Sequence, residues 1–502
     1  MLLYIVFFIV SILYLLFLYV SWNENYWLKQ KIPFIEPHKI FGNIKDVIFM
    51  KKTIGEVYQD IYSKLNGKPI GGFFKMRQPI LMVRNPDLIA EVLDKKFESF
   101  HDNDIHVRRD ADPILKLNPV LAVGPMWIAT RSVLTPLQSH ETLEGLLHII
   151  KISCKNMMNH ISQQKIPIEV KDLSSKFTSD VIASCSLGTE PNSFKKCDTQ
   201  FRKMSDKLLK KDLKSNAALL FALYAPMFGN LFSFRIISKD ICKYFVSLVS
   251  DNCKHRVQRG IKKKDFLQRL IDINKESEAS GEGTVYNYQS IMGHCMSVFI
   301  NGYNMTSHPL GFCLYNLAMN PDVQDKLRKE IKTFGFSSVD ALSYYLIESM
   351  EYLDMVVCET LRLHPPMSTL TRVCTCTTEL SLGEHTYKIE KGIPVTIPIY
   401  AIHTDPDYFP DPMKFDPERF DKKNRSLRHQ FVYLPFGAGP RYCPGSKLAL
   451  LILKSALISI IMNFEVRPRG AIKGIEHDPM SSLVSTAKGE VWLRFKEHVT
   501  FY

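Results

Sequence analysis

The decapeptide at residues 436–445, Phe-Gly-Ala-Gly-Pro-Arg-Tyr-Cys-Pro-Gly, constrains the fold of this 502-residue chain more than any other segment. It places one cysteine, Cys443, in a loop with three glycines, and glycine adopts backbone conformations that other residues avoid. An apolar run at residues 446–464 follows, and its spacing predicts a helix that begins just after the cysteine. The sequence therefore predicts a glycine-rich loop that presents a thiol near a helix start.

Two interpretations of Cys443 compete. A free cysteine in a turn is most often a buried structural thiol. The start of the following helix, however, adds positive potential that favours a thiolate, the form that ligates metals. Arg441, two residues earlier, supplies a guanidinium that can pair with carboxylates. The full spacing Phe-x-x-Gly-x-Arg-x-Cys-x-Gly favours a thiolate ligand over a structural thiol.

This spacing resembles the haem-binding loop of the cytochrome P450 family, the haem-thiolate monooxygenases. The resemblance implies a mainly α fold with a small β region, built as one large haem-binding domain. It also implies haem b (iron protoporphyrin IX) with Cys443 as the axial thiolate ligand, and it assigns Arg441 and Phe436 to cofactor binding. Local segments such as residues 350–354, Met-Glu-Tyr-Leu-Asp, are similar to the microsomal xenobiotic-metabolising branch typical of insects.

Residues 1–22 contain no charged side chain and are almost wholly apolar. About 20 such residues, at a rise of roughly 1.5 Å each, cross the hydrocarbon core of a bilayer. Lys29 and Lys31 follow the run and no Lys or Arg precedes it, which favours a cytosolic position for the rest of the chain. The sequence predicts a membrane anchor at 1–22, a proline-containing connector at 23–45 and a haem-thiolate catalytic domain at 46–502. The predicted location is the endoplasmic reticulum membrane, with the catalytic domain facing the cytosol.

The formal net charge of +13 fits a nucleic acid, an anionic membrane surface or an acidic protein as a partner. No nucleic-acid signature accompanies the charge, so a nucleic-acid partner is not expected. Eleven scattered cysteines suit reduced thiols better than a disulfide framework. The resemblance implies NADPH-cytochrome P450 reductase as electron donor, cytochrome b5 as a further candidate donor, and a lipophilic small-molecule substrate.

Helical spacing of apolar residues dominates the chain. Helices are predicted at residues 127–134, 146–160, 178–187, 291–320, 321–334, 342–363 and 448–463. Residues 380–382 and 387–389 flank Gly383-Glu384 and predict a β-hairpin, and residues 395–400 predict a further strand. A second apolar run, 217–232, is broken by Pro226 and Gly229, and it predicts core packing or a segment at the membrane interface.

Glu359 and Arg362 are three residues apart, so a helix places them on one face. An exposed pair of this kind would contribute little to stability. The neighbouring residues are largely apolar, which predicts that the pair is buried. The spacing resembles the structural Glu-x-x-Arg pair of the family, and the resemblance implies Arg419, in Pro-Glu-Arg-Phe at 417–420, as a third member. Buried charges need such mutual satisfaction.

Trp127 and Arg131 lie four residues apart, again on one helical face. Alone they would be an ordinary cation–aromatic or core pair. The spacing resembles the Trp-x-x-x-Arg helix of the family, and the resemblance implies that both side chains reach a haem propionate. Arg372 matches another propionate-binding arginine, which with Arg441 gives three guanidinium groups for two carboxylates. Asp104 departs from the family, because relatives carry a basic residue near 101–104 and an acid would repel a propionate.

The predicted helix at 291–320 contains the largest departure from the resembled family. Relatives carry Gly, any residue, an acid and then Thr there, and the resemblance implies that the acid and the threonine anchor the water that delivers protons to dioxygen. This chain retains Gly302 but has Asn304 for the acid and Met305 for the threonine, followed by Thr306 and Ser307. The amide cannot release a proton as an acid does, and methionine has no hydroxyl. Thr306, with ordered water, and Asn304 are the predicted catalytic residues.

Three functions remain open at this point. The leading interpretation is a membrane-bound haem-thiolate monooxygenase that oxidises a lipophilic small molecule with O2 and electrons from an NADPH-dependent reductase. The Asn304-Met305 pair motivates an alternative, a haem-thiolate enzyme that rearranges or dehydrates a peroxide or oxime without the usual oxygen cycle. The third is a non-catalytic protein that binds haem or lipophiles. Because every propionate contact that the motifs identify is present, an enzyme is favoured over this third function.

Overall fold

The computed structural model describes residues 2–105, 115–195, 199–209, 219, 223–224, 237–279, 288–470, 474–481 and 484–498. The apolar run predicted at 217–232 lies outside these residues except for Leu219, Leu223 and Tyr224. These three side chains are buried. The predicted mainly α architecture with a small β region is confirmed.

The described helices follow most of the predicted segments, usually with longer ends. They are α1 (Leu2–Ser21), α2 (Tyr26–Lys29), α3 (Lys45–Ile48), α4 (Ile54–Lys64), α5 (Pro86–Ala90), α6 (Gly124–Leu134), α7 (His140–Gln163), α8 (Val170–Ser186), α9 (Gln200–Leu209), α10 (Lys239–Arg259), α11 (Phe266–Ala279), α12 (Tyr288–Met319), α13 (Pro321–Thr333), α14 (Tyr344–Ser349), α15 (Glu351–Leu363), α16 (Ile399–His403), α17 (Lys422–Leu427) and α18 (Ser446–Asn463).

The strands form three small sheets. They are β1 (Ile70–Lys75), β2 (Gln78–Val83), β3 (Ile168–Glu169), β4 (Leu370–Val373), β5 (Thr378–Leu382), β6 (His385–Ile389), β7 (Pro394–Ile397), β8 (Phe464–Pro468) and β9 (Trp492–Glu497). The largest sheet has the order β1-β2-β7-β4, with β2 and β7 parallel, and the second has the order β3-β9-β8. The predicted hairpin is confirmed as β5-β6, with Leu382 opposite His385.

Two predicted segments differ from the observed elements. The strand predicted at 395–400 stops at Ile397, and helix α16 begins after Pro398. The helix predicted at 342–363 is two helices, because the backbone of Met350 is extended between α14 and α15. The carboxylate of Glu330, in α13, accepts hydrogen bonds from the first amides of α15, those of Tyr352 at 2.7 Å and Leu353 at 2.9 Å. A residue from another helix therefore satisfies the amides that a helix start leaves free.

Helix α12 is the central element of the helical core. It packs closely against α8 along its length and also contacts α10, α11, α15 and α18. A Cβ added at Gly302 would lie 3.1 Å from the side chain of Ile182 in α8, so the close crossing of the two helices favours glycine there. A second apolar core lies between the β1-β2-β7-β4 sheet and the helices α4 and α5.

The N-terminal helix α1 lies outside both cores. Its apolar side chains are mostly exposed, from Leu18 at 45% to Leu3 at 84%. Among the described residues, two segments are apolar and long enough to cross a membrane, residues 3–29 and α18, but most of α18 is buried inside the protein. The end of α1 is tied to the β1-β2 turn, because Arg77 donates from Nε and Nη2 to the carbonyl of Trp22 at 3.0 and 2.8 Å. The apolar, exposed α1 fits a membrane anchor.

The Glu359–Arg362 pair is fully buried in α15, as its apolar flanks predict. Arg362 donates from Nε and Nη2 to the two carboxylate oxygens of Glu359, each at 2.7 Å. Arg419 approaches the same carboxylate, with its Nε 3.4 Å from Oε1, and the amide of Asp416 donates to Oε1 at 2.9 Å. The pair therefore fixes the irregular chain after α16 to the helical core.

A chain of hydrogen bonds extends from this pair to the glycine-rich loop. Arg362 Nη1 donates to the carbonyl of His403 at 2.8 Å, and the ring Nδ1 of His403 faces the carbonyl of Arg362 at 3.2 Å. Burial lowers the pKa of His403 to about 3, so its imidazole is neutral and its Nε2 accepts from the amide of Leu434 at 2.9 Å. Leu434 in turn accepts from the amide of Gly437 at 3.1 Å.

Replacing Glu359 with Gln should destabilise the protein by about 3–5 kcal/mol, because the charge of Arg362 would stay buried without a carboxylate. Urea unfolding of the detergent-solubilised protein, followed by circular dichroism, measures the change. Glu351→Gln is the matched control, since Glu351 pairs with Lys422 at an exposed position (side chains 65% and 85% exposed) and its loss should cost less than about 1 kcal/mol. Equal effects of the two substitutions would contradict the structural role of Glu359.

Candidate active site

The glycine-rich loop holds Cys443 between the core and the start of α18. The amide of Cys443 donates to the carbonyl of Phe436 at 3.0 Å, which closes the loop on itself. Gly437 and Gly439 have φ values of +73° and +67°. A Cβ at Gly439 would lie 1.9 Å from the carbonyl oxygen of Leu93, so the loop backbone approaches another segment too closely for any side chain. Glycine is thus required at 439 by both conformation and space.

The surroundings of Cys443 combine burial with positive groups. Burial raises the pKa of the Cys443 thiol, while the backbone amides of Gly445 and Ser446 and the charge of Arg131 lower it. Arg131 lies in α6 and donates from Nη1 to the carbonyl of Tyr442 at 2.5 Å. Two amides and one guanidinium therefore favour a thiolate, and a bound metal ion deprotonates a coordinating thiol outright.

Arg441 reaches from the loop to the segment that precedes α6. It donates to the carbonyls of His101, Pro119 and Ala122, the last two at 3.2 and 3.0 Å. Its Nη2 also lies 3.4 Å from Oδ1 of Asp102. The guanidinium lies over the ring of Trp127, 4.6 Å from the ring centroid. Trp127 therefore stacks on Arg441, a contact that the sequence did not predict, because the two residues are far apart in the chain.

Arg372, in β4, is buried without a carboxylate partner among the described residues. It donates from Nη1 to Oδ1 of Asn103 at 2.6 Å and to the carbonyl of Thr371 at 2.9 Å, and its Nε has no hydrogen-bond partner. Burial and the charge of Arg441 lower the pKa of Arg372 to about 9. Burial likewise lowers the pKa of Arg441 to about 10, opposed by Asp102.

These buried cations provide a test of whether the residues fit a haem. Arg441 is close enough to Arg372 to lower the pKa of Arg372, and the described carboxylate beside Arg441 is Asp102. An uncompensated buried charge costs several kcal/mol, so this arrangement suits an anionic group that supplies the missing charge. The acidic edge of a porphyrin is such a group, and the Cys443 thiolate is of the kind that ligates a metal. The donor set therefore fits a haem-thiolate site.

Asp104 lies away from this group of arginines, contrary to the repulsion expected from the sequence. Its carboxylate is 2.5 Å from Nζ of Lys75 in β1, and both side chains are almost fully buried. The pair neutralises the acid, so its charge is compensated inside the protein. The residue of the 101–104 segment that contacts Arg441 through a side chain is Asp102, which also accepts from the amide of Gly124 at the start of α6.

A cavity of about 540 Å³ lies along one face of α12. One face of α12 lines the cavity with Asn301, Asn304, Met305 and His308. Apolar residues of the 115–121 segment and of the C-terminal loop complete the lining. The side-chain amide of Asn304 makes no hydrogen bond with another described residue. The cavity wall thus contains the two positions at which the sequence departs from the resembled family, Asn304 and Met305.

Thr306 is 1% exposed and is not among the described residues that line this cavity. The hydroxyl of the adjacent Ser307 is buried and has no hydrogen-bond partner within the described part of the chain. Pro309 lies inside α12 and has no N–H to donate to the preceding turn. Buried polar groups without protein partners are commonly satisfied by ordered water. This part of α12 therefore suits bound water.

Sequence reasoning identified the arginines but missed two of their neighbours, Asp102 and Asn103. Both belong to the 101–104 segment, which the sequence marked only as a departure from the family pattern. It also missed a hydrogen-bonded contact on the cavity wall between Asn118 and Asn301. An asparagine at 301, within the predicted helix and one residue before Gly302, was the available signal.

Comparison with known proteins agrees with the site. The family model described as Cytochrome P450 matches residues 32–493. The chain is 32% identical to "Cytochrome P450 6j1" of Blattella germanica, over 90% of this chain and 89% of that one. It is 31% identical to "Cytochrome P450 9e2" of the same insect, over 98% and 96%, and 31% identical to "Cytochrome P450 6a2" of Drosophila melanogaster, over 94% and 95%. The predicted similarity to insect members is confirmed.

Three findings lead to one conclusion. They are the loop that presents a cysteine beside buried arginines, the family match over most of the chain, and several insect relatives above 30% identity. The chain belongs to the cytochrome P450 family, the haem-thiolate monooxygenases, in which a cysteine thiolate ligates the haem iron.

Proposed function

We propose that this protein is a membrane-bound monooxygenase that oxidises a lipophilic small molecule with O2 and with electrons from NADPH-cytochrome P450 reductase. The proposed cofactor is haem b. The chain would divide into an anchor at 1–22, a connector at 23–45 and a catalytic domain at 46–502. The protein would lie in the endoplasmic reticulum membrane with its catalytic domain on the cytosolic side, and cytochrome b5 is a second candidate donor.

The observation that carries this proposal is the pair of buried guanidinium groups, Arg372 and Arg441, beside the Cys443 loop with Asp102 as the described carboxylate partner. Haem, when bound, supplies the activation of dioxygen. Cys443 would ligate its iron, and Arg372, Arg441 and Arg131 would hold its carboxylates. Trp127 keeps Arg441 in place by stacking on it, and Phe436 fixes the Cys443 backbone through its carbonyl.

Proton delivery is assigned to Thr306, Asn304 and ordered water. Asn304 lines the cavity and can orient water through its amide, but it has no acidic proton to release. The Ser307 hydroxyl is buried without a partner among the described residues, and it lies next to the buried Thr306, which supports a water-binding groove in α12 beside Pro309. In this proposal water carries the proton and the three side chains hold it in position.

Two features support the proposed surroundings. The exposed apolar side chains of α1 suit a lipid environment, and Arg77 ties the end of α1 to the β1-β2 turn. The excess of basic residues, +13 in total, suits docking of an acidic reductase surface. Lys447 is exposed in the first turn of α18, close to Cys443 in the chain, and so could contribute to such a surface.

The alternative of a rearranging or dehydrating enzyme was motivated by Asn304-Met305 alone. The described geometry adds no group that favours it, since the cavity wall at these positions offers an amide and a thioether. It is retained as an outcome of the experiment below and not as a second proposal.

The test of the proposed function is isotope incorporation by the membrane-expressed protein with reductase. Lipophiles, oximes and hydroperoxides are supplied with and without NADPH under labelled dioxygen, and products are read by mass. We expect one labelled oxygen in the product of a lipophile, only with NADPH. Cys443→Ala should abolish the product, whereas Cys376→Ala, at an exposed cysteine, should not. Conversion of oximes or hydroperoxides without NADPH and without label would refute monooxygenation.

Arg372→Met should weaken haem retention by roughly 10–100-fold, because hydrogen bonds to charged groups contribute about 1.5–3 kcal/mol. The rate of haem transfer to an excess of apomyoglobin measures retention. The free energy of unfolding of the haem-free protein should fall less than the free energy of haem binding. The reason is that the substitution removes a buried cation that lacks a carboxylate partner among the described residues. Arg467→Met, at an exposed pair with Glu465, is the control and should retain haem normally. Unchanged retention in Arg372→Met would remove Arg372 from the cofactor site.

A double substitution, Asn304→Glu with Met305→Thr, restores the residue types that relatives carry in α12. If these departures limit proton delivery, the fraction of NADPH electrons recovered in product should rise several-fold, with less hydrogen peroxide released. Product and peroxide are measured together for the same substrate. A fall in the recovered fraction would instead mean that the natural pair is adapted to its own reaction.

A further inference from the structure

Asn118 and Asn301 form a reciprocal amide pair on the wall of the 540 Å³ cavity. Asn118 Nδ2 donates to Asn301 Oδ1 at 3.3 Å, and Asn301 Nδ2 donates to Asn118 Oδ1 at 3.3 Å. The two residues are 183 positions apart, one in the segment before α6 and the other in α12. Both hydrogen bonds are longer than the usual 2.9–3.0 Å of an N–H···O bond, so the pair is held loosely enough to admit a competitor.

Asn118 is held rigidly by its own segment. Its backbone carbonyl accepts from the amides of Leu121 at 2.9 Å and Ala122 at 2.8 Å, and its Oδ1 accepts from the amide of Val120 at 2.9 Å. The neighbouring carbonyls of Pro119 and Ala122 accept from Arg441. The position of the Asn118 amide is therefore coupled to the loop that carries Cys443.

The remaining hydrogen-bond capacity of the pair is mainly that of a donor. Oδ1 of Asn118 already accepts two hydrogen bonds, from Val120 and from Asn301, which fills both of its lone pairs. Each side-chain NH2 group uses one N–H in the pair and keeps a second. Asn301 keeps one further acceptor position on Oδ1. Two free N–H groups against one free lone pair suit a ligand atom that accepts, above all a carbonyl oxygen.

Most of the residues beside the pair are apolar, and the polar residues on the same face of α12 are Asn304, one turn beyond Asn301, and His308, two turns beyond it. The two elements that carry the pair also contribute apolar side chains to the cavity wall, namely Leu115, Val120, Leu121, Ile300 and Met305. The charged residues that line the cavity belong to other elements, including Glu169 and Lys171 at the start of α8 and Arg202 and Asp206 in α9. A hydrogen bond from the pair to a ligand would therefore form in apolar surroundings, where leaving a polar group unpaired is costly.

We propose that Asn118 and Asn301 determine substrate specificity by donating to one carbonyl oxygen of an otherwise apolar substrate. The inference rests on the proposed function, because it takes the cavity along α12 as the substrate site. A ketone, ester or lactone oxygen would accept from the free N–H groups, and the apolar wall would contact the hydrocarbon part. The substrate class is a lipophile with a single carbonyl group, held beside Met305 by its oxygen.

The test compares ketones with the exocyclic-methylene compounds of the same skeleton, such as 2-adamantanone with 2-methyleneadamantane, and larger bicyclohexyl and androstane pairs. Dissociation constants come from the shift of the haem Soret band on titration of the intact holoenzyme. We expect the wild-type protein to bind the ketone about 10-fold more tightly than its methylene partner. Asn301→Leu replaces one of the two proposed donors with an apolar side chain of similar branching, so the ratio should fall well below its wild-type value, towards one.

His308→Leu is the matched control, since His308 lies on the same cavity face of α12, about two turns beyond Asn301. It should keep the ketone preference. A general loosening of the cavity in Asn301→Leu changes both members of a pair, so the ratio within one variant reports the hydrogen bond.

Each other outcome overturns the inference. A wild-type ratio of one, with binding of both compounds, would exclude carbonyl recognition and leave the proposed function intact. A preference that keeps its wild-type value in Asn301→Leu would locate the carbonyl contact at other residues. If no member of any pair shifts the Soret band although haem is bound, the cavity does not take lipophiles, and the proposed function falls as well.

Discussion

The buried pair of Glu359 and Arg362 links the helical core to the loop that presents Cys443. Both side chains are fully buried. The amide of Asp416 and the carbonyl of His403 complete the hydrogen bonds of the pair, and Arg419 adds a second positive charge beside Glu359. The neutral imidazole of His403 then accepts from the segment that leads into the loop. An ion pair of low intrinsic contribution thus acts mainly as a geometric constraint, since breaking it would leave a charge without a partner in the core.

Buried charge in this protein occurs in two kinds. Lys75 with Asp104, Arg256 with Asp265, and Arg362 with Glu359 are compensated by carboxylates inside the chain, and they hold elements together. Arg372 has only neutral partners among the described residues, and Arg441 shares Asp102 with the start of α6. Arg77 is also buried with only carbonyl partners among the described residues, so the physical basis for assigning the haem site is the position of Arg372 beside Arg441 and the Cys443 loop.

The wall of the cavity along α12 carries several polar side chains. Asn301, Asn304 and His308 share one face of the helix with Met305, while Thr306 and Ser307 are buried and are not among the described residues that line the cavity. Chemistry at this wall can therefore change without disturbing the packing of α12 on α8, which depends on the opposite contacts around Gly302 and Ile182. The scaffold and the reaction are specified by different faces of one helix.

The sequence by itself determined the features that depend on local spacing. Residues a few positions apart determine these features, because turn conformation and helical periodicity are local properties. They are the thiol loop with its glycines, the Glu359–Arg362 pair, the hairpin β5-β6, most helices and the apolar N-terminal helix. The tertiary structure decided what depends on distant groups: Glu330 starting α15, Asp104 neutralised by Lys75, Trp127 stacked on Arg441 and Asn118 bonded to Asn301. These contacts could not be predicted, because a buried polar group must find a partner wherever the packed chain brings one within about 3 Å, and sequence separation carries no information about that choice.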